Sequence, residues 1–438
     1  MSMGSCQSTH VAGEAHIVGK EEAVKQKRVL IIVENLTVPL DRRVWQEATT
    51  LRDAGYVVSV ICPTGGPYKS KYELLEGIHV FRHPMPLEAD GPAGYAVEYS
   101  AALFWEFVLS VKVHFKVGFD VVQACNPPDL IFLVAGFWKY LFGKRFIFDH
   151  HDINPELYEA KFNKRGFFHR VLHRLERMTF QTADVSIATN QTFKDIAITR
   201  GGMMEDDVYI VRSIPNLERF QRVAPNADLK NGREFLIGYV GIMGAQDGVD
   251  LLVDAMHQIV NVEGRTDVQC AIVGSGTELE GLKTRASEYG LDDYLTFTGF
   301  LSGEPLLQAF STFDIGVIPD PKNTYNDKIS MNKLFEYMTL GIPFVQFDLI
   351  EGRKVARKSA LYAADNSPVD LAAQIARLCD EPDFRAKLAA EGLSQSRAQL
   401  NWGAEKARLL SAYAAVLGQS HEHSARIEDA AATTASRS

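Results

Sequence analysis

The sequence predicts an α/β protein of two doubly wound, Rossmann-like domains that face each other across a cleft. Two observations lead to this prediction. From Arg28 onward, short β-branched apolar runs alternate with helical patterns, which is typical of buried parallel strands separated by helices. The same rhythm restarts after residue 220, and 438 residues suffice for two domains of roughly 200 residues each.

Five strands are predicted in each domain. The first domain, residues 28–220, contains RVLIIVE (28–34), YVVSVICP (56–63), DVVQAC (120–125), KRFIFDHH (144–151) and DVSIAT (184–189). The second domain, residues 221–418, contains FLIGYVG (235–241), VQCAIVG (268–274), LTFTGF (295–300), IGVIPD (315–320) and PFVQFD (343–348). Residues 1–27 and 419–438 are small and polar without apolar periodicity, so we expect them to be mobile tails.

The bulk composition excludes several classes of protein. A net charge of −9 argues against a nucleic-acid binder, which needs a basic surface. No run reaches the ~18 uncharged apolar residues of a membrane-spanning helix, and residues 1–27 lack the apolar core of a signal peptide. The cysteines are scattered and odd in number, as expected for free thiols in a reducing compartment: Cys6, Cys62, Cys125, Cys270 and Cys379. We therefore predict a cytoplasmic protein.

Glycines punctuate two strand-to-helix turns of the second domain. Gly241 and Gly244 lie in YVGIMGAQDGVDLLVDA, and Gly274 lies in AIVGSGTELEGLK. Such turns let backbone N–H groups approach a phosphate, although glycines there are also commonly structural. Because ligands of doubly wound sheets bind beyond the carboxyl ends of the strands, these turns and Phe300, after a third strand, are candidates for the cleft.

The stretch SMNKLFEYMTLGIPF (330–344) places Lys333 and Glu336 one turn apart on one face, at the start of a predicted helix. Two interpretations of this pair are open. It is either an ordinary surface ion pair or a pair that binds an anion and hydroxyl groups at a helix N-terminus.

Three C-terminal segments, VGSGTELEGLK, LTFTGFLSGEPLLQAF and NKLFEYMTLGIPFV, resemble the C-terminal half of glycosyltransferase family 4 enzymes, which are retaining transferases of the GT-B fold. The N-terminal VLIIVENLTVPLDRRVWQEATTLRDAGYVVSVICP looks like their acceptor-side half. The resemblance covers about residues 28–415 and is strongest with the branch that builds bacterial exopolysaccharide and lipopolysaccharide. It implies a retaining, metal-independent hexosyl- or N-acetylhexosaminyltransferase without a cofactor.

The resemblance also implies the partners. The donor would be a nucleotide-diphosphate sugar, bound mainly by the second domain. The acceptor would be a lipid-linked saccharide, with polyprenyl diphosphate as the lipid carrier, bound by the first domain. Such an acceptor implies peripheral association with the cytoplasmic face of the inner membrane.

Site residues follow from the same resemblance. Glu336 matches the second glutamate of the family's E-x7-E signature, which binds the nucleotide ribose hydroxyls, and Lys333 on the same face would meet the diphosphate. His151, in FDHHDINPELYE, matches the active-site histidine near the sugar C6 hydroxyl, with His150 as the alternative if the register slips by one. We predict that His151 and Lys333 are catalytic. Asn126, in ACNPPDL, has either a structural role or a place in the acceptor pocket.

The sequence departs from the family pattern at the expected diphosphate site. Lys328 stands eight residues before Glu336, where the first glutamate belongs. The usual Gly-Arg and Lys-Gly become Gly241-Ile242 and Asp247-Gly248. Other cations must then neutralise the diphosphate, and the candidates are Lys328, Lys333, Arg42 and Arg43. The predicted donor site comprises Gly241, Gly244, Gly274, Phe300, Lys328, Lys333 and Glu336, and the predicted acceptor side of the cleft comprises Arg42, Arg43 and Asn126.

No metal site is predicted. His150, His151 and Asp152 are contiguous, so their side chains diverge in a strand, and no Cys/His cluster accompanies them. The chain also lacks the D-x-D motif that binds a metal-diphosphate complex in the other large glycosyltransferase fold.

The sequence leaves two interpretations of one helical segment open, and two functions other than a transferase. The helical stripe of KRGFFHRVLHRLERM (164–178) either faces the core or binds anionic lipid, and consists of Phe168, Val171, Leu172, Leu175 and Met178. An epimerase of nucleotide sugars would share the GT-B fold without needing an acceptor. A non-catalytic scaffold of a polysaccharide assembly complex would explain Ile242 and Asp247.

Overall fold

The computed structural model describes residues 26–84, 91–364 and 366–418, with the side chains of 91–99 left aside. The predicted tails therefore lie outside the described residues, except for Gln26 and Lys27. Within the described part of the chain, no helix combines the length and apolarity that crossing a bilayer requires. The four described cysteines are free and buried, as predicted: Cys62, Cys125, Cys270 and Cys379.

The first domain is built on an eight-stranded sheet in the order β3-β4-β2-β1-β5-β6-β7-β8. Its elements are β1 (Arg28–Ile32), α1 (Arg42–Asp53), β2 (Val57–Pro63), β3 (Tyr72–Leu75), β4 (Ile78–His83), α2 (Gly91–Lys116), β5 (Val121–Cys125), α3 (Phe132–Phe142), β6 (Arg145–His150), α4 (Asn154–Phe162), α5 (Phe167–Thr182), β7 (Val185–Ala188), α6 (Gln191–Thr199) and β8 (Val208–Ile210). Only the β3–β4 pair is antiparallel. Val29 and Ile31 pack on one face of the sheet and Leu30 and Ile32 on the other, which explains the continuous apolar run.

The second domain has a six-stranded, fully parallel sheet in the order β11-β10-β9-β12-β13-β14. Its elements are β9 (Phe235–Val240), α7 (Val249–His257), β10 (Val268–Val273), α8 (Leu279–Glu288), β11 (Leu295–Gly299), α9 (Gly303–Thr312), β12 (Ile315–Ile318), α10 (Asn332–Leu340), β13 (Phe344–Phe347), α11 (Ile350–Ala356), β14 (Ala360–Ala363), α12 (Pro368–Asp380), α13 (Pro382–Ala398) and α14 (Trp402–Val416). The predicted fold class, two facing Rossmann-like domains, is confirmed.

Helix α14 returns to the first domain. Its residues Trp402, Leu409 and Tyr413 pack into the core of that domain, and Trp402 Nε1 donates to Thr50 Oγ1 at 3.0 Å. Residues 402–416, which the predicted boundary counts with the second domain, thus pack against the first. Because of this return, the side chain of Tyr413 lies in the first domain, close to the wall that faces the cleft.

The segment between β12 and α10 also joins the two domains. Tyr325 packs into the first-domain core, and its hydroxyl donates to Asp152 Oδ1 at 3.2 Å. Lys328 Nζ lies 2.7 Å from Glu156 Oε1 of α4. These contacts hold the domains together beside the cleft.

The predicted core-facing stripe of α5 is not buried. Phe168 and Met178 are exposed, and the other three residues are only partly covered. The buried residues of this helix are instead Glu176, Thr179, Phe180 and Thr182. The polar members of that face have partners in the domain: Thr179 Oγ1 donates to Asp129 O, and Glu176 pairs with Arg200. The core-facing interpretation is therefore wrong.

Candidate active site

The two sheets enclose an interdomain cavity of about 2360 Å³. Most of the predicted site residues line it, from both domains: Arg42, Arg43, His151, Gly241, Gly274, Phe300, Lys333 and Glu336. Gly244, Asn126 and Lys328 do not line this cavity. The cleft lies at the carboxyl ends of the parallel strands, as expected for ligand sites in such sheets.

His151 follows β6 and sits in a charged cluster of the first-domain wall. Its Nε2 lies 2.8 Å from Asp149 Oδ2 and 2.9 Å from Arg43 Nε. One nitrogen cannot donate to the carboxylate and accept from the guanidinium at the same time. Burial lowers the pKa of His151, but Asp149 outweighs burial and holds that pKa above its usual value. The contact with Asp149 thus favours the protonated ring, and the guanidinium of Arg43 opposes it.

Arg43 ties the cluster together from α1. Its Nη2 lies 2.8 Å from Asp149 Oδ1 and 3.1 Å from Glu47 Oε1, and its Nη1 donates to Val211 O at 2.8 Å. Burial opposes ionisation of Asp149, yet Arg43 and His151 hold its pKa below the usual range. Burial and Asp149 together raise the pKa of Glu47 to about 8.

The buried side-chain amide of Gln123 binds the same two carboxyl groups. Gln123 Nε2, on β5, donates to Glu47 Oε2 at 2.7 Å and to Asp149 Oδ2 at 2.9 Å. The hydroxyl of Tyr413, on α14, donates to Gln123 Oε1 and so fixes which end of the amide faces the carboxyls. The His151 environment therefore depends on the C-terminal helix as well as on the first sheet.

His150 points away from the cleft. It is fully buried, packs against the rings of Phe148, Phe180 and Phe193, and has a pKa lowered to about 3, chiefly by burial and then by Arg200. His151 is thus the histidine of this pair that lines the cavity.

The atoms of Cys125, Asp149 and His151 that could bind a metal lie within 4.8 Å of one another. Arg43 already contacts two of these residues, and a metal ion would have to displace its guanidinium. Burial, together with Asp149, also raises the pKa of Cys125 well above normal, which opposes the thiolate that a metal requires. This donor set does not fit a metal ion.

Asn126 uses its amide to shape the loop that carries His151. Its Oδ1 accepts from His151 N at 2.8 Å and from Asp152 N at 3.2 Å, and its Nδ2 donates to Asp129 Oδ1 at 2.8 Å and to Asp152 O at 2.6 Å. The side chain is buried and does not line the cavity. The structure therefore favours the structural interpretation over a place in the acceptor pocket.

Lys333 and Glu336 lie on α10, in the second-domain wall, but do not pair with each other. Lys333 is buried, and its Nζ lies 2.8 Å from Asp320 Oδ2 and 4.8 Å from the centre of the Tyr239 ring. Glu336 bonds instead to Arg42 Nη2 from across the cleft. The surface-ion-pair interpretation is wrong, and the predicted roles of both residues in binding and catalysis stay predictions.

Acidic groups surround Lys333. Asp247, in the turn after β9, accepts from Gly244 N at 2.9 Å. Burial raises the pKa of Asp247 to about 6; Lys333 lowers it and Asp320 raises it further. Burial lowers the pKa of Lys333, but Asp320 and Asp247 outweigh that effect and raise it. The lysine charge is held by protein carboxylates.

The glycine turns of the second domain pack closely against each other. Gly274 has a φ of +139°, and a Cβ atom there would lie 1.8 Å from Gly241 O. Only glycine fits this contact, which brings the two turns together at the cleft. Phe300 presents an exposed ring to the same cavity.

Lys328 is engaged away from the cavity. Its partner Glu156 also binds Arg200 Nη1 at 2.7 Å, and Arg200 in turn binds Glu176. Lys328 thus joins a charge cluster between α10 and the first domain. Its predicted contact with the donor stays a prediction.

Sequence reasoning did not select several residues of the two walls: Glu47, Gln123, Asp149, Asp320 and Tyr413. Local signals existed for two of them. Glu47 lies four residues after Arg43 on a helix, and Asp149 lies two residues before His151 at the end of a strand.

Two family descriptions match successive parts of this chain. Residues 40–219 match the model described as Glycosyltransferase Family 4, and residues 234–381 match the model described as Glycosyl transferases group 1. The fold is that of GT-B glycosyltransferases, and both halves of the chain are similar to glycosyltransferase families.

Individual relatives are distant. Mannosylfructose-phosphate synthase of Agrobacterium fabrum is 24% identical over 194 residues, which are 42% of this chain and 41% of that protein. The chain thus spans about two-fifths of the length of the curated relatives it matches.

Two solved structures show the same GT-B fold along nearly the whole chain. Sucrose-phosphate synthase from Thermosynechococcus elongatus has a TM-score of 0.74 at 19% identity, covering 90% of this chain and 100% of that one. Anabaena HepE in complex with UDP-glucose has a TM-score of 0.65 at 15% identity, covering 88% of this chain and 99% of that one.

Proposed function

We propose that this protein is a retaining glycosyltransferase that moves a sugar from a nucleotide-diphosphate sugar to a saccharide acceptor. The observation that carries the proposal is the place of Glu336. Glu336 is buried near the middle of α10 in the second-domain wall, and it lines the interdomain cavity together with Gly241 and Gly274. A carboxylate so placed can accept hydrogen bonds from two ribose hydroxyls.

The first-domain wall supplies the second part of the proposal. His151 lines the same cavity as the glycine turns and, when protonated, can donate to a hydroxyl of the transferred sugar or to the leaving oxygen. We infer that positioning and stabilisation of the departing diphosphate carry catalysis, without a metal or other cofactor. Retention of configuration rests on the family resemblance.

Binding of nucleotides tests the donor side. Glu336→Gln keeps the shape of the side chain but replaces one acceptor oxygen by a donor, so we expect affinity for the nucleoside diphosphate to fall about tenfold or more. Isothermal titration calorimetry with UDP, GDP and ADP measures this effect. Glu218→Gln is the control, because Glu218 is an exposed carboxylate lining the same cavity. Unchanged affinity in Glu336→Gln would remove the basis of the assignment.

A scaffold without activity is the second candidate. It is favoured by one observation, the two carboxylates Asp247 and Asp320 around the buried Lys333, because carboxylates in a wall repel a diphosphate. The same titrations separate the candidates. A scaffold need not bind any nucleotide, whereas a transferase must bind one of them.

For the acceptor we propose a polyprenyl-diphosphate-linked saccharide of bacterial surface polysaccharide, reached from the cytoplasmic face of the inner membrane. A surface of α2 and α3 supports this. Phe107 and Phe137 join the two helices with ring centres 5.0 Å apart. Around them lies an exposed apolar set, here called the α2–α3 surface: Phe104, Val108, Phe115, Leu133, Tyr140 and Leu141. Phe115 is 83% exposed, an unusual state for so large an apolar side chain.

Basic residues accompany this surface on the same helices and just after them: Lys112, Lys116, Lys144 and Arg145. Aromatic rings with adjacent cations are the composition of a surface that lies on an anionic bilayer. The stripe of α5, of which Phe168 and Met178 are exposed, lies on the same helix as Arg170, Arg174 and Arg177 and has a similar composition.

Vesicle flotation tests this surface. The combined variant Phe115→Ser, Tyr140→Ser and Leu141→Ser should lose most binding to vesicles of phosphatidylglycerol and phosphatidylcholine while keeping nucleotide affinity. Val262→Ser with Val369→Ser is the control, since these exposed apolar residues lie in the second domain. Binding lost equally in both would contradict a specific membrane face, as would a wild-type chain that never floats.

A further inference from the structure

Arg42 reaches across the cleft from the first domain. It is the first residue of α1, whose N-cap Asp41 accepts from Val44 N at 3.0 Å and fixes the start of the helix. Its guanidinium bonds to Glu336 and lies 5.9 Å from the centre of the Phe220 ring. The Arg42 side chain is 54% exposed and that of Glu336 is 4% exposed. An exposed cation therefore covers a buried carboxylate.

The other predicted cations of the site are held by carboxylates that no ligand removes. Lys333 is buried against Asp320, and Lys328 pairs with Glu156 outside the cavity. Arg43 is enclosed by Asp149 and Glu47. Arg42 differs because its partner, Glu336, is the residue that we expect to bind the ribose hydroxyls of a nucleotide.

We propose that Arg42 and Glu336 exchange partners when a nucleoside diphosphate enters the cleft. The ribose hydroxyls take Glu336, and the released guanidinium moves to the neighbouring diphosphate. This inference rests on the proposed function and assigns the diphosphate-binding cation to the first domain. It replaces the cations that are absent at Ile242 and Asp247 in the turn after β9.

The energies favour such an exchange. A half-exposed ion pair is weak because water solvates the guanidinium, so breaking it costs little. A diphosphate offers bidentate, charge-assisted bonds that an arginine fork fits well. A nucleoside without phosphate would break the pair and gain no replacement. The exchange therefore discriminates for diphosphates and links the two domains through the ligand.

The exchange predicts that Arg42→Ala changes the affinities for a nucleoside and for its diphosphate in opposite directions. We would titrate the full chain with uridine and UDP, and with the guanosine/GDP and adenosine/ADP pairs. In Arg42→Ala, Glu336 is already free, so the Kd of the bound nucleoside should fall about threefold. The Kd of the matching diphosphate should rise about tenfold, because its cation is gone.

Two variants serve as controls. Arg219→Ala removes an exposed cation lining the same cavity and should shift nucleoside and diphosphate affinities by less than about twofold. Arg42→Lys keeps the charge without the fork and should weaken the diphosphate less than Arg42→Ala does.

The outcomes separate this inference from the function on which it rests. Arg42→Ala affinities that are unchanged, or that move in the same direction for both ligands, overturn the exchange and leave the donor site standing. A wild-type chain that binds none of these nucleosides or diphosphates overturns the proposed function, and the exchange with it.

Discussion

The two walls of the cleft both bury a cation among carboxyl groups, yet their charge balance differs. In the first-domain wall, Arg43 and His151 face Asp149 and Glu47. Glu47 has a pKa of about 8 and keeps its proton at neutral pH, whereas the pKa of His151 is raised. In this wall a buried arginine and a histidine with a raised pKa therefore offset the charge of Asp149.

In the second-domain wall, one cation, Lys333, lies among Asp320 and Asp247. Two carboxyl groups therefore face one buried lysine, although the resemblance assigns the donor diphosphate to this wall. The charge of each wall is therefore set by the tertiary partners of its ionisable residues, and residue type alone predicts it poorly. The following variants perturb one wall while the other serves as reference.

The largest effect is expected from Arg43→Ala. Removing the guanidinium deprives the buried, ionised Asp149 of one of its two cationic partners and Glu47 of a donor, so the free energy of unfolding of the first domain should fall by about 3 kcal/mol. Urea denaturation followed by far-UV circular dichroism measures it. Arg219→Ala, an exposed arginine of the same cleft, should stay within about 0.5 kcal/mol. A loss below about 1 kcal/mol for Arg43→Ala would mean that the buried ion pairs of Arg43 stabilise the fold no more than an exposed arginine does.

A smaller effect should follow Tyr413→Phe, which tests how far the first wall depends on α14. The variant leaves Gln123 Oε1 buried without its donor, which costs about 1–2 kcal/mol in the same urea measurement. Tyr56→Phe is the matched control, because the ring of Tyr56 lies 5.8 Å from that of Tyr413 and its side chain is partly exposed. Equal losses in both variants would assign the effect to ring packing and not to the hydrogen bond.

The strands that the sequence predicts are those with continuous apolar runs. All ten predicted runs correspond to strands, because β-branched residues buried on both faces of a parallel sheet leave that pattern. The missed strands β3, β4, β8 and β14 are short or carry polar residues. In β4, Arg82 is buried only because Thr37 Oγ1, Val38 O and Glu73 satisfy its guanidinium. No local pattern reveals such partners.

In the candidate site, too, some features could be predicted from local sequence and others could not. The residue types at Glu336 and His151 could be recognised from motifs that are local in sequence. The contacts that set their charge are not local: Arg42 and Glu336 are 294 residues apart, and Gln123 and Tyr413 are 290 apart. The neutralisation of Lys333 by Asp320, in the strand-end segment before α10, likewise depends on how a loop folds back.

The smallest effect, Asp247→Asn, tests the negative balance of the second wall through its pH dependence. The pKa of Asp247 is about 6 in the fold against 3.8 without it, so the fold favours the protonated form. Its contribution to stability is complete below about pH 4 and is lost as the pH rises through about 6. Asparagine cannot ionise and still offers Oδ1 to Gly244 N, so the variant escapes this loss.

We expect Asp247→Asn and the wild type to have equal stability at pH 4, and the variant to be more stable by about 1 kcal/mol at pH 8. The figure is below the full shift because the side chain is partly exposed and water screens its neighbours. Thermal unfolding at a series of pH values measures the difference, with Asp293→Asn, an exposed carboxylate of the same domain, as the control. A difference that is the same at pH 4 and pH 8 would show that burial and Asp320 do not disfavour ionised Asp247. The second wall would then be as balanced as the first, and the need for Arg42 to supply the missing charge would disappear.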